Sequence, residues 1–156
     1  MERCIELRLA TGNDIATLTE LRLEMRRERE TTELRVPPEE FRKRTEAFFR
    51  ETLADGSFVS VLALDGDEAV ACSGLSIQRV PPSYSNPSGL RGYVTNMYTR
   101  PAWRRRGLAT RLLDALAAEA RKRHCQALFL NASAAGRPVY ERYGFRADDG
   151  EMVLEL

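Results

Sequence analysis

The stretch RPAWRRRGLATRLL, Arg100 to Leu113, constrains this chain more tightly than any other segment. Before it, Tyr93 to Thr99 is strand-like. After it, Leu108, Leu112, Leu116 and Ala120, flanked by Ala109 and Leu113, recur at helical spacing to about Arg123. The chain must pass from a strand into an amphipathic helix at Gly107. Arg104, Arg105 and Arg106 stand directly before that glycine, although three adjacent guanidiniums repel one another and oppose the positive end of the helix dipole. A solvated face, a nucleic-acid contact and a seat for a small anion are the three readings of such a cluster. A bound anion resolves the conflict. Exposed amides at a helix N-terminus attract it, Gly107 lets backbone approach it, and guanidiniums hydrogen-bond its oxygens.

Charge balance bears on which anion. The chain has 156 residues, a net charge of +1 and 43% apolar residues, which suits one α/β domain spanning residues 1–156 and a buried core. A nucleic-acid binder is more often strongly basic, so no nucleic-acid partner is expected. Lys43 and Lys122 are the only lysines, and nothing functional is drawn from that. Cys4, Cys72 and Cys125 are far apart and lack metal-ligand spacing, so they read as reduced thiols, with no metal expected. Residues 1–4 run into the first strand without a secretory apolar core, and no apolar run approaches the roughly 18–20 residues that span a bilayer. A cytoplasmic location and no membrane partner are the expectations. Asn131-Ala132-Ser133 matches a glycosylation sequon by chance.

Alternation at Ile5, Leu7 and Leu9 predicts a first strand. Thr11 is placed to cap the next helix, with Asp14 in its first turn and Ile15, Leu18, Leu21 and Met25 as its apolar stripe. Arg26 to Pro38 reads as a loop, Phe41 to about Leu53 as a second helix stopped by Asp55-Gly56. Phe58 to Leu64 and Ala69 to Val80 form a hairpin across Asp65-Gly66-Asp67. Pro81 to Gly92 is an irregular loop. Ala127 to Leu130 predicts a fifth strand, Gly136 to Tyr143 a short helix, and Phe145 to Leu156 a closing hairpin about Asp149-Gly150.

The anion turn lacks the GK pair of a P-loop and the GxGxxG of a dinucleotide turn. Arg104-x-x-Gly107-x-Ala109 after Val94-Thr95-Asn96-Met97-Tyr98-Thr99 instead resembles the Q/R-x-x-G-x-G/A motif of the GNAT superfamily of N-acetyltransferases. Downstream, LNASAAGRPVYERYGF resembles that superfamily's fifth strand, fourth helix and Tyr-x-x-x-Gly-Phe signature. The order of elements matches from Ile5 to Leu156. The resemblance implies a mixed, mostly antiparallel α/β (α+β) sheet flanked by helices, with strands four and five parallel and splayed.

It also implies site residues. Amides of Arg104, Arg105, Arg106, Gly107, Leu108, Ala109 and Thr110 would hold the pyrophosphate of acetyl-CoA, the co-substrate, with the Arg105 and Arg106 side chains assisting. Backbone of Met97 and Thr99 would pair with the pantetheine arm, and Asn131 would bond it from the other side or simply cap its strand. Tyr140 would protonate the leaving thiolate, with Tyr143 as second choice. A phenol of pKa about 10 giving its proton to a thiol of about 8.5 is uphill by about 2 kcal/mol, which proximity can offset. His124, at a helix end, and Trp103, beneath the turn, read as structural.

The acceptor is expected to be a small-molecule or peptide amine, with homodimerisation left open. Glu28, Glu30 and Glu33 could attract a cationic amine, or simply be solvated. Tyr93 to Thr99 contains no Asp or Glu, where the family often places its base, so deprotonation through ordered water is expected. The rival readings are a catalytically silent acyl-CoA sensor and a nucleic-acid-binding module.

Overall fold

A computed structural model describes residues 4–30 and 32–156. Most of the leader reading and one position of the first expected loop fall outside them. Five strands, β1 (Glu6–Leu9), β2 (Phe58–Asp65), β3 (Glu68–Arg79), β4 (Leu90–Thr99) and β5 (Leu128–Phe129), form one sheet in sequence order. The first four pair antiparallel; β5 runs parallel to β4. Helices α1 (Ile15–Arg29) and α2 (Pro38–Asp55) follow β1; α3 (Leu108–Lys122) and α4 (Arg137–Tyr143) flank β5 in the chain. The expected fold class is the one observed.

Two cores sandwich the sheet because β2 and β3 alternate faces. Val59, Val61 and Ala63 pack with Leu108, Leu112, Leu113 and Leu116 of α3. Phe58 and Leu62 face the other way, onto Leu18, Leu21, Met25 and Phe49 of α1 and α2. Thr11 and Asp14 close a reciprocal capping box before α1, and Arg8 grips both Asp14 oxygens at 2.8 Å. Gly66, left-handed at φ 63°, turns β2 into β3.

Four expectations change. β4 starts at Leu90, inside the loop expected from Pro81 to Gly92, because Leu90 to Gly92 pair with Arg79 to Ile77 of β3. The loop predicted from Arg26 is still helix to Arg29, since arginines are good helix formers and cations are favoured in a last turn. The fifth strand is only Leu128–Phe129, so Asn131 lies beyond it, exposed. The closing hairpin does not form among residues 145–156. Its turn is present, Gly150 N–H donating to Asp148 at 3.1 Å, but neither arm pairs with a strand. Phe145 instead packs against Tyr140 and Tyr143 on α4, and alternation alone supplies no pairing partner.

Candidate active site

β4 and β5 pair only at Gly92 opposite Leu128 and Tyr93 opposite Phe129. Beyond Tyr93, β4 keeps β3 on one side and leaves its other edge open. An irregularity lies on β4 there: Cys72 faces Tyr98 but Gly74 faces Thr95, so Asn96 and Met97 together oppose Ser73. Asn96 takes the extra turn at φ 54°, with its side chain buried. Arg100 N–H bonds Val70 C=O, so strand alternation sends the backbone groups of Met97 and Thr99 to the open edge. Both carbonyls already accept hydrogen bonds, Met97 from Arg29 Nη2 at 3.1 Å and Thr99 from Arg104 Nε at 2.9 Å.

At the end of β4 the chain makes a single short turn, Pro101–Trp103, and enters α3. Arg105 at φ 63° and Gly107 at φ 74° are both left-handed. A left-handed arginine is uncommon and is held there by its surroundings. Left-handed residues on either side of Arg106 are the kind of backbone from which anion nests are built. The first helical bond of α3 is Arg111 N–H to Gly107 C=O at 3.2 Å, so the amides of Leu108, Ala109 and Thr110 precede any helical partner. A Cβ at Gly107 would meet nothing within 4 Å and would project into the open space before the helix. The partnerless amides give the turn the polarity to receive an anion such as a diphosphate.

The three arginines divide their work. Arg104 turns away from the nest and clamps both oxygens of Glu28 at 2.6 and 2.8 Å, while its own amide bonds Pro101 at 3.3 Å. That ties the turn to the end of α1 and makes Arg104 a brace. Arg106 is exposed and bonds Ala102 C=O at 3.2 Å; Arg105 is exposed and enters no ion pair among the described residues. Trp103 packs on the α3-side core and donates to Asp65 at 3.1 Å, so it sits under the turn as structure.

The two candidate tyrosines are separated by their partners. Tyr143 donates its hydroxyl to Asp114 of α3 at 2.8 Å. The Tyr140 hydroxyl makes no hydrogen bond among the described residues, and its ring is half-buried against Phe145. Burial pushes the Tyr140 phenol above its ordinary value, only partly countered by the positive charge of Arg29. Tyr140 therefore holds its proton firmly at neutral pH. It is also the fourth of seven residues in α4, so the helix start gives its phenolate little help.

The acidic residues expected near the acceptor are largely engaged. Glu28, clamped by Arg104, is held below the usual carboxylate range, which makes it a poor base. Glu30 accepts from Thr32, and Glu33 is exposed. The arginines of α1 were missed. Arg22 reaches Asn96 at 3.2 Å and Arg29 reaches Met97, both inside the site. Their i, i+4, i+7 spacing with Arg26 was the available signal, hidden by ending the helix near Met25. Among the described residues no three His, Cys, Asp or Glu side chains cluster to hold a metal, and no helix is long and apolar enough to cross a membrane.

Known proteins share this fold. A predicted acetyltransferase from Clostridium acetobutylicum, solved with acetyl-CoA, is 33% identical and superposes with a TM-score of 0.88 over 97% of this chain and 96% of that one. A GCN5-related N-acetyltransferase from Ralstonia eutropha JMP134 is 27% identical, with a TM-score of 0.83 over 98% and 99%. Glucosamine 6-phosphate N-acetyltransferase of Trypanosoma brucei brucei is 30% identical over 77 residues, 49% of this chain and 52% of that protein. The chain thus spans about half the length of that curated relative. The acetyltransferase (GNAT) family model matches residues 18–145, which includes α1 from Leu18 onward, the β4 edge, the α3 turn and α4. The chain belongs to the GNAT family of acetyltransferases.

Proposed function

We propose that the protein is an N-acetyltransferase that moves an acetyl group from acetyl-CoA to a primary amine by direct attack. The observation that carries this is the turn at Arg105–Thr110, whose first helical amides precede any helical partner, set at the end of the unpaired edge of β4, with Tyr140 packed on the same core cluster as Met97. Acetyl-CoA supplies the acetyl group as a thioester. The amides of Leu108, Ala109 and Thr110, with the Arg105 and Arg106 side chains, bind its diphosphate. The open edge of β4 at Met97 and Thr99 orients its arm, after Arg29 and Arg104 yield those carbonyls. Asn131, exposed beyond β5, remains a contact proposed on resemblance alone.

Tyr140 holds a proton at its hydroxyl and gives it to the departing sulfur. Its raised pKa makes the transfer more uphill than the free phenol and thiol suggest. The same burial disfavours a bare thiolate, so both sides of the transfer are lifted and the proton moves as charge develops. No carboxylate lies on β4, so the amine loses its proton through water. A thermal-shift screen with acetyl-CoA, followed by an amine panel monitored for free CoA, tests this function. Stabilisation and CoA release with some amine are expected. No stabilisation by acetyl-CoA would defeat the proposal, and stabilisation without transfer across a broad panel would favour a silent acyl-CoA sensor.

A further inference from the structure

The charges of α1 fall into two stripes with opposite fates. Glu20, Glu24 and Glu28, four residues apart, point to arginines on other elements: Glu20 to Arg42 of α2, Glu24 to Arg100 at 2.8 Å, and Glu28 to Arg104 at 2.6 Å. Arg22, Arg26 and Arg29 form the second stripe, with Arg22 and Arg26 partly buried and Arg29 exposed. Arg22 is mostly withdrawn from solvent, yet its hydrogen bond goes to a neutral amide, Asn96 Oδ1, at 3.2 Å. Burial and the charge of Arg26 both disfavour its cationic form. Arg26 reaches Glu30 only at 4.0 Å, and its buried Nε has no partner. Arg29 spends its visible hydrogen bond on a backbone carbonyl, that of Met97, while its charge acts on Tyr140.

Three guanidiniums thus share one helix face: Arg22 meets the β4 irregularity at Asn96, Arg29 meets Met97 and acts on the Tyr140 phenol, and Arg26 lies between them in sequence, close enough for its charge to act on Arg22. The groups facing them are Asn96, Cys72, Tyr140, backbone and two carboxylates: Glu30, which Arg26 meets only at 4.0 Å, and Glu28, which is clamped by Arg104, as Glu24 is by Arg100. The Cys72 thiol, buried and pushed up to about 12, supplies no charge. Gathered cations with unused donors, next to a reacting centre, need an anion to satisfy them. They would repel a purely cationic amine, which reverses the expectation drawn from Glu28, Glu30 and Glu33.

We propose that Arg22, Arg26 and Arg29 form an acceptor subsite for an anionic group, so that the favoured acceptor is an amine that also carries a phosphate or a carboxylate. This rests on the acetyltransferase reading. Arg26 and Arg29 grip the anion, and Arg22, fixed by Asn96, sets its depth. The same charges stabilise the neutral amine of a bound acceptor over its ammonium form, which assists deprotonation where no carboxylate base exists.

The test uses matched pairs that differ only in the anion: ethanolamine and phosphoethanolamine, glucosamine and glucosamine 6-phosphate, glycinamide and glycine. Binding to the CoA-saturated protein is measured by calorimetry, and turnover with acetyl-CoA by CoA release. The anionic member of the phosphate pairs or of the carboxylate pair should bind at least about tenfold more tightly, and whichever arm responds identifies the anion. Arg26→Gln, half-exposed and therefore safe for folding, should collapse that ratio toward one while leaving the affinity for CoA unchanged. Arg22→Lys, which keeps the charge, should retain most of it. Equal binding of neutral and anionic members in every pair overturns the proposal, as does a preference that survives Arg26→Gln. Failure to bind CoA at all would instead defeat the acetyltransferase reading.

Discussion

Tyr140 and Tyr143 lie three positions apart on a seven-residue helix, and their hydroxyls have different partners. Tyr143 is bound to Asp114, so Tyr143→Phe should cost about 1 kcal/mol in urea unfolding and leave turnover within a few-fold. Tyr140→Phe keeps the ring and removes a hydroxyl that hydrogen-bonds no described residue. Turnover should fall by roughly 10²-fold while acetyl-CoA affinity stays level, provided chemistry limits the wild-type rate. The reverse pattern in steady-state assays would move the acid to Tyr143. Asp14 offers a pH test of the fold itself. The Arg8 guanidinium and the Thr11 amide hold its carboxyl below the usual aspartate range. A depressed folded pKa contributes stability above the unfolded value, near 3.9, and that stability is lost as pH falls through the folded one. Asp14→Asn should therefore lower the unfolding free energy by about 1–3 kcal/mol at pH 7, and the gap to wild type should shrink below about pH 4.

At the scale of elements, β4 and α1 bear on how an acceptor amine would lose its proton. The strand brings no carboxylate, and α1's nearest one, Glu28, is clamped by Arg104. The rate with an acceptor should then rise with pH toward the amine's own pKa. Glu28→Gln should cost under about tenfold and leave the shape of the profile unchanged, below the usual loss for a general base. A plateau near pH 6–7 abolished by that change would identify a dedicated base. The turn into α3 was legible because glycine, arginines and a change of period coincide within a few residues. Which arginine does what was not, since the clamp on Glu28 joins positions 76 residues apart. The β4 irregularity at Asn96 was hidden too, for it depends on how β3 pairs with it. The end of α1 was misjudged because charge was read as loop, though arginine is a good helix former. The closing hairpin failed for the opposite reason: its alternation and turn are local, and the partner they need is not.

The molecule as a whole is one sheet that opens where β5 stops. Two cores hold its faces, and the opening brings the β4 edge, the α3 turn, α4 and the arginines of α1 to one place. That convergence depends on backbone more than on side chains, so the decisive position is Gly107, left-handed and with nothing within 4 Å of a built Cβ. Gly107→Val strains that conformation by about 1–2 kcal/mol and fills the cradle, without disturbing either core. The measurement is a calorimetric titration of acetyl-CoA into the wild-type protein and into folded Gly107→Val. Saturable one-to-one binding by the wild type, weakened at least about tenfold by the valine, is the predicted result. Binding of equal strength in both proteins, with the fold of the variant verified by its unfolding midpoint, would contradict the placement of acetyl-CoA at this turn.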